Sequence, residues 1–239
     1  MDQIETPRAG LIMIAGFGDN ASMFDRLLTT PLAHKYALIP YNLPGFGAPS
    51  LEGETTIEAL AEALAKEARR SGAKIVLAHS VASIIASIAL HKDSPLEMIL
   101  SLEGNITADD AYFSGTAADY DDPATFRTAF LTRLAEKARG SSIFGRYHDN
   151  VAKADPEALW QLGRDAQRFS EAQHPGESLV ASGKVSYLYD DPNCPDSTLD
   201  WLHSHDIDKR RLVGASHWPS IDAPDLLSTE CMAAIKDLQ

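Results

Sequence analysis

Ser80, Glu103, Asp191 and His217 stand in this order along the chain, and together they could perform nucleophilic catalysis. A serine hydroxyl attacks a carbonyl only when a neighbouring base takes its proton. A histidine serves as that base best when a carboxylate holds and charges its ring. Ser80 lies in the segment IVLAHSVASIIASIALH, residues 75–91. A β-branched run, Ile75-Val76-Leu77, reads as a buried strand, and Ile84, Ile85, Ile88 and Ala89 fall on one face of a helix that begins directly after the serine. A serine at so sharp a strand-to-helix turn matches a nucleophile elbow, G-x-S-x-G, with Ala78 and Ala82 in place of both glycines. The plainer reading is a serine that caps the helix. His79 competes with His217 for the role of base, but neighbours on a tight turn point apart, so His79 is expected to pack beside the elbow.

These residues need a scaffold that gathers them. Short apolar runs at 11–14, 36–39, 75–77, 97–102, 184–189 and 210–213 read as strands. Helical patterns lie between them, at 21–29, 56–71, after Ser80, at 197–204 and at 223–237. Residues 108–180 have a different character: polar, helical, punctuated by Gly and Pro, without a convincing strand. Alternating strands and helices imply an α/β fold, a mostly parallel sheet with helices on both faces. In such sheets ligands bind beyond the carboxyl ends of the strands. Gly16, Asn42, Ser80, Glu103, Asp191 and His217 all fall at such ends.

Composition narrows the function further. A length of 239 residues, 44% hydrophobic, suits one sizeable domain with an insertion. A net charge of −13 argues against nucleic acid or an anionic membrane surface as partner. No apolar run is long enough to span a bilayer, and MDQIETPRAG lacks the basic start and apolar core of a secretory leader. Cys194 and Cys231 form no CxxC, so both are read as thiols of a cytoplasmic protein, monomeric or homodimeric. His203 and His205 alternate around a helix with no third ligand near, and Asp119-Tyr120-Asp121-Asp122 reads as a solvated loop, so no metal site is expected.

Further segments join the elbow in a consistent order. Ala15-Gly16-Phe17-Gly18 followed by Met23-Phe24 resembles an HG-x loop, with Ala15 for histidine. Asn42-Leu43-Pro44-Gly45-Phe46-Gly47 resembles D-x-P-G-x-G, with Asn42 for aspartate. Gly214-Ala215-Ser216-His217-Trp218-Pro219 and Ala223-Pro224 resemble a G-x-x-H-x-P segment and a proline-led last helix. Over nearly its whole length the chain thus resembles the α/β-hydrolase superfamily. The resemblance implies a hydrolase core at 1–107 and 181–239 with a helical cap at 108–180, and no cofactor. It implies Ser80 as nucleophile, His217 as base, and the backbone N–H groups of Phe17 and Val81 as oxyanion hole. The acid stays open between Asp191, with Asp190 beside it, and Glu103, because members of the superfamily place it after either strand. Gly16, Phe113 and Trp218 are expected to touch substrate; Phe126, Phe130, Phe144 and Trp160 could line an acyl pocket or form the core of the cap.

The implied activity is cleavage of a small-molecule ester, thioester or lactone through an acyl-enzyme. Carbon–carbon bond hydrolysis would use the same triad, and a signal-binding receptor could occupy the same scaffold. Gly16-Phe17-Gly18-Asp19-Asn20-Ala21 also fits the dinucleotide fingerprint G-x-G-x-x-A, but Tyr41-Asn42 stands where its ribose-binding acid belongs.

Overall fold

The computed structural model describes residues 8–238. The first seven residues, part of the stretch read above for a leader, lie outside it.

Six strands form one sheet in the order β2-β1-β3-β4-β5-β6: β1 Gly10–Ile14, β2 Ala37–Tyr41, β3 Ile75–His79, β4 Met98–Leu102, β5 Lys184–Tyr189 and β6 Asp208–Arg211. Every pairing is parallel. The central strands β3 and β4 are buried throughout, as a sheet covered on both faces requires. Outside the connection from β4 to β5 the helices are α1 Pro31–Lys35, α2 Ile57–Ser71, α3 Ala82–Leu90, α8 Asp196–Ser204, α9 Pro219–Asp222 and α10 Pro224–Leu238. On α2 the residues Ile57, Leu60, Ala61, Leu64, Ala65 and Ala68 face the core, the spacing of one helical stripe. Thr56 caps its first turn and Gly72, at φ 67°, ends it.

The strand order reverses between β1 and β3. β1 is followed by β2 on one side, and the chain then returns to add β3 on the other, which leaves a crevice above their adjacent carboxyl ends. Ile14 pairs with Ala78, which brings the loop after β1 to Ser80. His79 pairs with Leu102, which sets Ser80 beside Glu103.

Between β4 and β5 the regular structure is all helical: two short 3-10 turns, Ala108–Ala111 and Ser114–Asp119, then α4 Pro123–Ala138, α5 Ser142–Val151, α6 Pro156–Gln173 and α7 Pro175–Ala181. Asp122, Ser141 and Asp155 cap α4, α5 and α6 with side-chain acceptors. α4, α5 and α6 pack together over Phe126, Phe130, Leu134, Val151, Leu159 and Leu162. α7 packs instead against α3 of the sheet layer.

Two readings shift in the structure. Residues 21–29 form a 3-10 helix. The last strand runs 208–211 rather than 210–213: Ser186 pairs with Asp208 and donates a hydrogen bond to it, and Val213 stands in a turn, 70% exposed. No helix among the described residues is long and apolar enough to cross a membrane.

Candidate active site

Ser80 sits between β3 and α3 with φ at 55°, a conformation that costs a non-glycine residue about 1–3 kcal/mol. The geometry lifts the side chain out of the strand end while Ser83 N–H donates to Ser80 O at 2.9 Å and closes the turn. Ala78 and Ala82 are wholly buried, so the small flanking residues meet the packing need that glycines meet in the usual motif. Gly16 lies hard against the elbow. A Cβ there would fall 2.9 Å from Ser80 Cβ and 3.0 Å from His79 Nδ1.

His217 follows β6 in a loop held from several sides. Gly214 N–H donates to Asp190 Oδ2 at 2.7 Å and Ser216 N–H to Asp222 Oδ2 at 2.9 Å. His79 Nε2 bonds to His217 O at 2.8 Å. Since a carbonyl only accepts, His79 carries its proton on Nε2. Burial, then the neighbouring His217 and Arg146, hold the His79 pKa well below the ordinary value. A neutral His79 therefore braces the backbone of the His217 loop, as its expected position beside the elbow suggested.

The two candidate acids are separated clearly. Glu103 follows β4 directly, also at positive φ, 48°. Its Oε2 lies 3.7 Å from His217 Nδ1, and its Oε1 accepts from Asp190 N–H and Asn193 Nδ2, both at 2.9 Å. Asp191 points elsewhere: its carboxylate, 43% exposed, pairs with Arg211 at 2.9 Å. Asp190 is buried and supports the Gly214 turn. The Tyr112 hydroxyl also approaches His217 Nδ1, at 3.3 Å.

Phe17, next to Gly16, and Val81, next to Ser80, have backbone N–H groups that donate to no protein acceptor among the described residues. The Phe17 loop is braced by α5. Tyr147 donates to Phe17 O at 2.7 Å, and buried Asp19 receives Arg146 at 2.5 Å and Asn150 at 2.8 Å. Tyr147, Arg146, Asn150 and Asp19 carry no sequence motif; the GFGD run offered the one hint. Asn42 is likewise a brace, accepting from Ala21 N–H and donating to Gly47 O. The space over Gly18, which a dinucleotide phosphate would need, is filled by Val151.

A cavity of about 20 Å3, room for little more than one water, is lined in part by Tyr112 and Phe113. Gly16, Phe17, His79, Ser80, His217 and Trp218 line it, with Asp19, Asp110, Ser114 and Tyr147. Phe126 and Phe130 stack as core at the back, Phe144 packs on Trp218, and Trp160 bonds to Tyr120 O. Trp218 and Phe113 thus meet the cavity, while Phe126 and Phe130 are core. His205 stacks on Trp201 at 3.9 Å.

The alpha/beta hydrolase family model matches residues 11–230. The chain belongs to the alpha/beta hydrolase family. Among solved structures, this hydrolase is similar to a mutant of the N-acyl homoserine lactonase AidH complexed with N-hexanoyl homoserine, at 17% identity and TM-score 0.74, covering 98% of this chain and 91% of that one. It is similar to a thermophilic esterase from Thermogutta terrifontis, at 14% identity and TM-score 0.72, covering 97% and 91%. It also resembles an AqdC variant in complex with its substrate, the Pseudomonas quinolone signal, which that protein ring-cleaves, at 16% identity and TM-score 0.73, covering 98% and 94%. At such identities the likeness is one of fold. No curated protein matches the sequence.

Proposed function

We propose that this hydrolase cleaves an uncharged small-molecule ester, thioester or lactone through an acyl-enzyme on Ser80. The observation that carries the reading is Ser80 held at positive φ at the end of β3, with Glu103, after the neighbouring strand β4, facing His217 of the loop after β6. His217 Nε2 takes the proton of Ser80 as Oγ bonds to the carbonyl carbon, and the carbonyl π pair moves onto oxygen. The N–H groups of Phe17 and Val81, with the start of α3, stabilise that oxyanion. Collapse expels the leaving group, which takes the proton from His217; a water activated by the same histidine then frees the acyl group. Glu103 stabilises the imidazolium in both halves.

The cavity lining supports an uncharged substrate: it holds aromatic rings and the carboxylates Asp19 and Asp110 but no lysine or arginine. Its small volume supports a short acyl group. The helical insert acts as the cap over it. Both cysteines are free, which suits a reducing, cytoplasmic compartment, and the protein acts as a monomer or homodimer. AidH and the Thermogutta esterase, with ester and lactone chemistry in their names, agree with this class.

A panel of p-nitrophenyl esters of rising acyl length tests the reading. Turnover is expected to be greatest for the shortest acyl groups and absent in Ser80→Ala. Turnover retained by Ser80→Ala, or no turnover of any ester or lactone by the wild type, would overturn it.

A further inference from the structure

We infer that Asn105 is a positioning residue that switches the Ser80 hydroxyl between a parked and an attacking arrangement; the inference rests on Ser80 being the nucleophile. The Ser80 hydroxyl donates to Asn105 Oδ1 at 3.3 Å. The Asn105 backbone N–H donates to Ser80 O at 3.4 Å. Asn105 is 2% exposed, and its Nδ2 is buried with no partner among the described residues. A buried amide donor left unpaired is costly, so stability does not explain an asparagine here.

The loop that carries it is rigid. Tyr187 Oη donates to Gly104 O at 2.6 Å. A Cβ at Gly104 would fall 2.2 Å from Ser101 Oγ and 2.3 Å from Ser83 Oγ, so the backbone passes where only glycine fits. Within Glu103-Gly104-Asn105 the first side chain faces His217 Nδ1 and the third faces Ser80 Oγ. One fixed tripeptide thus touches both members of the proton-transfer pair.

An amide has a donor end and an acceptor end of nearly the same shape. With Oδ1 towards Ser80, the hydroxyl proton is committed to Asn105 and Oγ is parked. A half-turn of the amide brings Nδ2 to Oγ instead. Oγ then accepts from Asn105, its proton is released towards His217 Nε2, and the orphan becomes a carbonyl oxygen, the more readily tolerated of the two. In this second arrangement the amide N–H also steadies negative charge as it grows on Oγ. Asn105 touches neither the carbonyl nor the leaving group, so it acts through Ser80.

Two variants separate this role from packing. Asn105→Ala removes both ends of the amide, and Asn105→Asp keeps the shape and the acceptor but lacks the donor when ionised. Fluorophosphonate labelling and ester hydrolysis are measured for both against wild type, with melting temperature alongside. Labelling rate and kcat should fall about 10–100-fold in each variant, with KM nearly unchanged, because the loss is felt only as the reaction proceeds. If Asn105→Ala does not fold, Asn105→Asp carries the test. Labelling within about twofold of wild type in the folded variants, or a rise in KM at constant kcat, overturns the inference while leaving Ser80 as nucleophile. Failure of the wild type itself to label overturns the nucleophile reading and this inference with it.

Discussion

Replacing Glu103 by glutamine should cut turnover by about three orders of magnitude, and the orientation of the new amide can be worked out beforehand. Glu103 Oε1 accepts two hydrogen bonds, from Asp190 N–H and Asn193 Nδ2. In Glu103→Gln these donors hold the amide oxygen on their side and turn its NH2 towards His217 Nδ1. A donor facing Nδ1 drives the imidazole proton to Nε2, the tautomer that cannot accept from Ser80. The charge lost stood 3.7 Å from Nδ1. At an effective dielectric near 20 such a pair is worth about 4 kcal/mol, or about 10³-fold in rate, if the imidazolium forms fully in the transition state. Substrate does not touch Glu103, so KM should change little. Asp191→Asn should lose only an exposed pair with Arg211, at most about 1 kcal/mol of stability and nothing in rate. Steady-state kinetics on a short-chain p-nitrophenyl ester, with thermal melts as the folding control, reads both. An Asp191→Asn enzyme that is crippled, or a folded Glu103→Gln enzyme within about tenfold of wild type, would refute the reasoning.

Other perturbations follow from the same geometry. Gly16→Ala sets a methyl 2.9 Å from Ser80 Cβ and should displace the Phe17 peptide; the loss of one oxyanion donor costs about 10²–10³ in kcat, readable in the same assay. Phe113→Ala removes a ring that lines the cavity and should shift the ester panel towards longer acyl chains; an unchanged profile would place the acyl group elsewhere. His79 has its pKa lowered in the folded state, so the unfolded chain binds its proton more readily, and stability is intact above the ordinary histidine pKa and lost as pH falls below it. Denaturant melts between pH 7 and 5 should show this loss, up to about 1.4 kcal/mol per pH unit for one proton, and His79→Gln should flatten it.

The strand ends were legible in the sequence because a parallel sheet buried on both faces leaves apolar runs that stop at Gly, Pro or polar residues. The elbow was legible despite its alanines, since a tight turn demands small residues rather than glycine as such. The edge strand was misplaced because apolar Leu212-Val213 reads more strand-like than Asp208–Arg211, yet an edge strand needs only a ladder, and its pairing with β5 set the register. Which carboxylate meets His217 could not be read because Glu103 and Asp191 both follow strands; the contact depends on which side chain the loop turns inward. Glu103 does so through a positive φ, invisible in a residue that usually avoids it. The contacts of α5 with Phe17 and Asp19 span about half the chain and leave no local pattern.

Mass-spectrometric mapping of a fluorophosphonate adduct bears most directly on the role of Ser80. The wild type should carry one phosphonyl group, on the peptide that contains Ser80; His217→Ala should label slower by about 10³-fold or more, and Ser80→Ala should not label at all. An adduct on another residue, or equal labelling of wild type and His217→Ala, would contradict the account.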